Sequence, residues 1–244
     1  MAFTAQSSFA QSGQVRVLCS NGIRSAVQQL TPAAEKAIGR KVVIEFSTST
    51  FLKKKIDAGE PFDVVIVTPG IIDDLTKSGT LARGSKTDIA SSDLAVGIKA
   101  GSAKADISTP DGMRKRLLAA KTITWTDGGA SGPAVLAMFQ ALGIVEQMKP
   151  KSVLQKTPGR PAESVAEGEN ELMFAPISEI QTVRGVEVLG KFPREFQEPV
   201  VMTAGIAAHV KHAEGARKLV AYLASAEAVP ALKASGMEPA RAKN

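Results

Sequence analysis

The chain has 244 residues, of which 44% are hydrophobic and 5% aromatic, and its formal net charge at pH 7 is +6. This length and apolar content suit one or two globular domains and argue against disorder, collagen and coiled coil. Lysine and arginine are spread along the sequence, so we expect no nucleic-acid partner. Cys19 is the single cysteine, which excludes an intramolecular disulfide and a cysteine zinc site.

Short β-branched segments alternate with longer amphipathic segments along the chain, a pattern typical of parallel α/β units. The sequence first predicts strand 14–19, a helix ending at Gly39, strand 41–46, helix 51–59, strand 63–67 and helix 70–79. Next come strand 93–99, helix 112–120, strand 121–125, helix 132–143, helix 162–168 and strand 171–175. The last predicted elements are strand 199–208 and helices 214–225 and 227–235. The predicted fold class is therefore α/β.

The N-terminal stretch MAFTAQSSFAQSG lacks the basic start and apolar core of an intact secretion signal. Its SSFAQ segment nevertheless has the small-x-small spacing of a signal-peptidase site. We interpret residues 1–12 as the disordered remainder of an export signal, which predicts a periplasmic protein; an ordinary cytoplasmic N-terminus is the alternative. No run of the sequence reaches the roughly 18 apolar residues that a membrane helix needs.

Small hydroxyl and glycine residues follow three predicted strands at the points where helices begin. These junctions are CSNGIRS after the first strand, STST at residues 47–50 and TDGGASGPA after the strand that ends at Trp125. Helix N-termini carry unpaired N–H groups and partial positive charge, and ligands bind at the carboxyl ends of strands. Because serine, threonine and glycine also cap helices without any ligand, one junction alone is weak evidence. Three together favour an oxyanion ligand.

Several other site classes are disfavoured by the motifs present. GGASGPA lacks the Lys-Ser/Thr pair of a phosphate-binding loop, and CSNGIRS lacks the three-glycine dinucleotide fingerprint. No nucleophile-elbow pattern with a histidine partner is found. His209 and His212 have no third metal ligand spaced near them. We therefore expect neither a cofactor nor a metal.

Four segments carry a resemblance to a known family: VRVLCSNGIRSAVQQL, VVIEFSTSTFLKKKIDAGEPFDVVIV, TWTDGGASGPAVLAMFQALGI and ESVAEGENELMFAPISEI. Over nearly the whole chain they resemble the periplasmic substrate-binding proteins of the molybdate-binding type. The resemblance implies a two-lobed periplasmic-binding-protein type II fold, or venus flytrap, in which each lobe is a mostly parallel sheet flanked by helices. It implies lobe 1 at residues 13–92 and 203–244 and lobe 2 at 93–202. It also implies a small anionic ligand and an ABC importer partner, and we expect a monomer.

The resemblance places ligand-binding positions at the three junctions. The first-junction serine of the family matches Ser20 or Asn21, and the second matches Ser47 or Ser49, with Thr50 in the same hydroxyl cluster. The third, a backbone site, matches about Ser131 and Gly132. Where molybdate binders commonly offer a tyrosine hydroxyl, this chain has Pro176, which provides neither hydroxyl nor N–H. We therefore expect molybdate to bind weakly.

Two arginines are predicted near the cleft: Arg24, one turn into the first helix, and Arg160, before the helix at 162–168. A guanidinium pairs bidentately with a carboxylate, so an organic acid fits at least as well as a metal oxyanion. The resemblance also leaves an enzymatic alternative, an isomerase of the aconitate type that moves a double bond by allylic proton transfer. Its base cannot be assigned from sequence; the candidates are Glu179, Glu163, Asp127 and Cys19.

Overall fold

A computed structural model describes residues 13–210 and 212–240, so the predicted tail over residues 1–12 lies outside the described residues. The strands are β1 (Gln14–Ser20), β2 (Lys41–Ser47), β3 (Val64–Val67), β4 (Thr87–Ser92), β5 (Leu94–Lys99), β6 (Ile123–Thr126), β7 (Ser152–Gln155), β8 (Leu172–Pro176), β9 (Val186–Lys191), β10 (Val200–Ile206) and β11 (Glu238–Pro239). The helices are α1 (Arg24–Ile38), α2 (Ser49–Asp57), α3 (Pro69–Lys77), α4 (Pro110–Ala119), α5 (Gly132–Ala141), α6 (Val145–Met148), α7 (Arg160–Glu167), α8 (Ile177–Ile180), α9 (Ala213–Leu223) and α10 (Val229–Ala234).

The first sheet has the strand order β11-β4-β10-β3-β1-β2. Strand β1 pairs in parallel with β2 and β3, whereas β10 runs antiparallel to both β3 and β4, and β11 antiparallel to β4. Strands β1 to β4 therefore share one direction. All four residues of β3 are buried, as expected of an inner strand covered by helices on both faces.

The second sheet has the strand order β7-β6-β8-β5-β9. Strand β6 is parallel to β7 and β8, and β5 is antiparallel to β8 and β9. Beside this sheet Trp125, Phe139, Phe174 and Phe192 form an aromatic cluster with ring centroids 5.8 to 6.1 Å apart. Edge and tilted ring contacts of this kind stabilise a core beyond the area that they bury.

The chain passes between the two sheets at two places. It leaves the first sheet after Ser92 and enters the second at Leu94, then returns between Lys191 and Val200. The hydroxyl of Ser92 accepts a hydrogen bond from the Ser178 amide at 3.1 Å and donates one to the Gly236 carbonyl at 2.9 Å. The predicted two-lobed α/β fold is confirmed, but the sheets are mixed rather than mostly parallel. Among the described strands, three of the five pairs in the first sheet and two of the four in the second are antiparallel. The first lobe consists of the first sheet with its helices, and the second lobe of the second sheet with its helices.

Helix α1 shows why the sequence forms this layer. Its buried residues Ala26, Val27, Leu30, Ala34 and Ile38 recur at helical spacing and pack on the first sheet. The helix ends at Gly39, whose φ of 69° is a left-handed conformation that favours glycine. None of the helices in the described ranges is long and apolar enough to cross a membrane.

Six short elements were not predicted from the sequence: β4, β7, β9, β11, α6 and α8. Strand β4 reads TDIASS and carries few apolar residues, while α8 has only four residues and so shows no helical period. Local patterning was too weak in these segments, and tertiary pairing determines their structure.

Candidate ligand-binding cleft between the lobes

A cleft of about 370 Å³ lies between the lobes, in the size range of small-molecule sites. It is lined at the ends of β1, β6 and β8 and at the starts of the helices that follow β1, β2 and β6. The first lobe contributes Ser20, Asn21, Arg24, Ser25, Gln28, Thr48, Ser49, Ala234 and Ser235. The second lobe contributes Thr126, Gly129, Ala130, Ser131, Pro158, Gly159, Pro161, Ala162, Met173, Phe174, Ala175, Pro176, Glu179, Gln181, Thr182 and Val183.

The first junction brings Ser20 and Asn21 to the cleft. Ser20 is buried, and its Oγ accepts a weak hydrogen bond from the Gly22 amide at 3.4 Å. The Oδ1 atom of Asn21 is buried with no hydrogen-bond partner among the described residues. A Cβ atom at Gly22 would lie 2.6 Å from Met202 Cε, so a larger residue there would require the end of the methionine side chain to shift. Both predicted alternatives at this junction are therefore at the cleft.

The second junction separates the four hydroxyl residues by role. Thr48 caps α2, with its Oγ1 accepting a hydrogen bond from the Phe51 amide at 3.2 Å. Ser49 lines the cleft, and its buried Oγ has no partner in the described part of the chain. Thr50 instead donates a hydrogen bond to the Gly128 carbonyl of the other lobe at 3.0 Å. Ser47 ends β2 and is not among the described residues that line the cleft.

The third junction contributes Ser131 from the second lobe. Its Oγ donates a hydrogen bond to the Phe174 carbonyl at 3.3 Å, and the side chain is buried. Gly132 begins α5, but its amide already donates to the Gly129 carbonyl at 3.3 Å. Gly129 and Ala130 line the cleft, whereas Gly132 is not among its described lining residues.

The two predicted arginines have different surroundings. Arg24 lines the cleft, and its guanidinium carbon lies 4.8 Å from the centre of the Phe46 ring, a cation–π contact. The guanidinium of Arg160 forms an ion pair with Glu167 at 2.7 Å and a second with Glu169. Within the described ranges Arg160 does not line the cleft, because these carboxylates draw its side chain along α7.

Of the four predicted candidates for a base, the cleft contains Glu179. Cys19 is fully buried, and this burial raises the pKa of its thiol far above the usual range. Glu163 is exposed, 3.8 Å from Arg160, and Asp127 is also exposed. Neither of these two carboxylates belongs to the described cleft lining. Thus the fold brings one of the four to the cleft.

Glu179 lies on α8, which the sequence did not predict as a helix. The residue is partly exposed and lines the cleft, and burial of its carboxyl raises the pKa to about 7. The helix is anchored by Ser178, whose Oγ donates to the Gly22 carbonyl at 2.8 Å across the two lobes. Among residues 13–210 and 212–240 no hydrogen bond or ion pair involves the Glu179 carboxyl. Such a carboxyl is available to exchange a proton with a ligand near neutral pH.

Pro176 ends β8, is buried and lines the cleft. It supplies no donor to a ligand. Met173, Phe174 and Ala175 precede it and continue an apolar wall on the second lobe. In the described part of the chain, no group of three or more histidine, cysteine, aspartate or glutamate residues is arranged to bind a metal ion.

Some polar residues of the cleft are not predicted from the sequence, among them Ser25, Gln28 and Ser235. Gln28 lies one turn after Arg24 on α1, so helical spacing was a signal that could have found it. Ser235 follows α10, far along the chain, and its hydroxyl lies 3.3 Å from that of Ser25. No motif or spacing in the sequence indicates that this segment reaches the cleft, and the tertiary fold alone brings it there.

Comparison with known proteins agrees with this geometry. A family model described as bacterial extracellular solute-binding protein matches residues 15–238. An aconitate isomerase from a Pseudomonas species is 30% identical over 93% of this chain and 88% of its own length. The molybdate-binding protein ModA of Azotobacter vinelandii is 26% identical over 93% of this chain and 90% of its own.

Among solved structures, the periplasmic molybdate-binding protein of Azotobacter vinelandii has the same fold, with a TM-score of 0.76 and 21% identity. The alignment covers 93% of this chain and all of that one. The predicted resemblance is confirmed. The chain belongs to the bacterial extracellular solute-binding proteins.

Proposed function

We propose that this protein is an extracytoplasmic solute-binding protein that captures a small carboxylate anion between its lobes and delivers it to an ABC importer. Lobe 1 would comprise residues 13–92 and 203–244, and lobe 2 residues 93–202. Closure of the lobes on the ligand would replace its hydration shell with protein donors from both sides.

The observation that carries this proposal is the pair of buried polar atoms with no partner at the first two junctions. Buried polar groups in folded proteins nearly always have hydrogen-bond partners, and one left without costs about 1 to 3 kcal/mol. Asn21 Oδ1 and Ser49 Oγ both belong to residues that line the cleft. A ligand oxygen would accept from the serine hydroxyl, and a turned Asn21 amide would donate from its NH₂ group.

The chemistry of the cleft favours a carboxylate over molybdate. Arg24 offers a planar guanidinium that matches a carboxylate bidentately. The apolar wall at Met173 and Phe174 suits a carbon skeleton, and Pro176 gives no donor on that side. A bare tetrahedral oxyanion would leave this wall without a complementary partner.

Isothermal titration calorimetry with tricarballylate, trans-aconitate, sulfate and molybdate tests the proposal. We expect a carboxylate to bind best. At a ligand concentration one hundred times its dissociation constant, it should also raise the free energy of unfolding by about 2.7 kcal/mol. Submicromolar binding of molybdate with no response to either organic acid would contradict it and indicate a molybdate carrier.

Glu179 favours a second candidate, an isomerase of unsaturated carboxylates. Its carboxyl faces the cleft with a pKa near 7, the value suited to a general base at neutral pH. As a carboxylate it would take a proton from one allylic carbon and return it to the other, moving the double bond without an oxidant. The 30% identity to an aconitate isomerase supports this candidate.

Ultraviolet absorbance during incubation with trans-aconitate distinguishes the two functions. A carrier leaves the spectrum unchanged although the ligand binds. Catalytic conversion in the wild type that is lost in Glu179→Gln, with trans-aconitate binding retained, would establish the isomerase instead.

A further inference from the structure

Glu179 is the one carboxylate among the described residues that line the cleft, and this inference about it rests on the proposed binding of an anion there. Anion sites normally exclude carboxylates, because two negative charges at close range repel each other. An ionised Glu179 would oppose the ligand that Ser49 and Arg24 are placed to bind.

The charged residues around Glu179 do not neutralise it through an ion pair in the described structure. Helix α8 packs against the turn at residues 21–23 and against β5, β8 and β9. On β9, Lys191 pairs with Asp93 at 2.7 Å and Glu187 lies 3.6 Å from Lys104.

Strand β5 carries Lys99 at its far end, since Leu94 is the residue paired with Pro176 beside the cleft. Strand β8 and the turn at 21–23 contain no titratable residue. Arg24 follows that turn and, with Glu179, supplies the charge of the described cleft lining.

We propose that Glu179 enters the ligand complex as a neutral carboxylic acid that donates a hydrogen bond to the bound anion, so that binding takes up a proton. The proton moves from solvent to a Glu179 oxygen, and the O–H then points to a ligand oxygen. No electron transfer or covalent bond to the ligand is involved. The neutral acid replaces the donor that Pro176 cannot supply on the second lobe.

The pH dependence follows from the sign of the shift. Burial raises the pKa of Glu179 to about 7 in the unliganded protein, and a bound anion raises it further. Below this pKa Glu179 is already neutral, so binding takes up only a small fraction of a proton. Above it the carboxylate must first gain a proton, so the affinity falls about tenfold for each pH unit.

This state of Glu179 also separates the two candidate functions. A neutral acid serves a carrier by donating a hydrogen bond, whereas a general base must be ionised in the complex. Strong proton uptake on binding therefore supports a carrier.

The experiment is calorimetry with tricarballylate, which is saturated and cannot isomerise, from about pH 7 to pH 9, where its own carboxyl groups are ionised. For the wild type we expect affinity to fall roughly 50-fold over this range. At about pH 8, buffers of different ionisation enthalpy should report uptake of close to one proton. Glu179→Gln keeps a neutral donor, so its affinity for tricarballylate should depend little on pH and its binding should take up no proton.

The matched control is Glu163→Gln, an exposed carboxylate outside the described cleft lining, which should retain the wild-type pH dependence. Tight wild-type binding with constant affinity and no proton uptake would overturn this inference while leaving the proposed function intact. Loss of binding in a folded Glu179→Gln at every pH would also overturn it, because the carboxylate would then be a required acceptor. If no anion of the panel binds, both proposals fall.

Discussion

The two lobes contribute different chemistry to the same cleft. The first lobe offers hydroxyl, amide and guanidinium groups from Ser20, Asn21, Ser49 and Arg24. The second offers an apolar wall that ends in Pro176, together with Ser131 and Glu179. The first lobe is therefore suited to binding the charge of an anion and the second to selecting the rest of the molecule.

This difference has a structural origin. The first-lobe groups follow β1 and β2, neighbouring parallel strands whose carboxyl ends meet at one edge of the sheet. On the second lobe, β8 is buried along its whole length and reaches the cleft with apolar residues. The contrast between a polar edge and an apolar wall therefore follows from which strands end at the cleft.

Filling the first-lobe site should have the largest effect. Ser49→Leu places a branched side chain where a ligand oxygen would lie, so tricarballylate should no longer stabilise the protein. The melting temperature without ligand should change little, because the Ser49 hydroxyl has no internal partner among the described residues. Differential scanning fluorimetry with and without tricarballylate measures both. Unaltered stabilisation by the ligand would remove Ser49 from the site.

Variants of Arg24 and Arg160 test whether the negative charge of the ligand is bound by the first lobe. Arg24→Gln should weaken tricarballylate binding by about 10- to 100-fold, the effect of losing a charged hydrogen-bond donor worth roughly 1.5 to 3 kcal/mol. Arg160→Gln is the matched control and should bind almost as the wild type does, since Arg160 pairs with Glu167 and Glu169. Titration calorimetry compares them. If Arg160→Gln weakened binding more than Arg24→Gln did, the arginine that binds the ligand would lie on the second lobe.

Two serine-to-alanine variants compare a hydroxyl kept for the ligand with one used by the fold. Ser49→Ala should not lower the unfolding free energy and could raise it, since it removes a buried hydroxyl with no partner among the described residues, and it should weaken binding by about 1 kcal/mol. Ser131→Ala should lower the unfolding free energy by about 1 kcal/mol, because Ser131 donates to the Phe174 carbonyl. Urea denaturation and calorimetry give the two quantities. Equal losses of stability would mean that the Ser49 hydroxyl has an internal partner.

The smallest effect is expected where the lobes touch beside the cleft. Thr50→Val removes the hydrogen bond to the Gly128 carbonyl, which joins the lobes in this arrangement. An exposed hydrogen bond contributes about 0.5 to 1 kcal/mol, so ligand dissociation should accelerate two- to fivefold with little change in association. Stopped-flow displacement measures both rates. A slower association alone would indicate that this bond does not favour the closed state.

Much of this arrangement could be predicted because it depends on local patterning. The β-branched runs located β1, β2 and β3, and the small residues after β1 and β2 lie in the cleft lining. Glu179 could be named only as one of four candidates. Its helix is too short to show a period, and its pKa depends on burial between elements distant in sequence.

Arg160 shows a different limit of sequence reasoning. Its position before α7 is next to the cleft, since Gly159 and Pro161 both line it. The direction of its side chain is decided by Glu167 and Glu169, seven and nine residues further on. Composition and spacing do not show whether Arg160 pairs with these two glutamates or with a ligand in the cleft.

A crystal structure of the protein with tricarballylate, grown near neutral pH, tests the central claim most directly. The account predicts the ligand between the lobes, with carboxylate oxygens within hydrogen-bond distance of Ser49 Oγ and the Arg24 guanidinium, and with Glu179 contacting it from the second lobe. Ligand density confined to one lobe, or a bound ligand that contacts neither Ser49 nor Glu179, would contradict it.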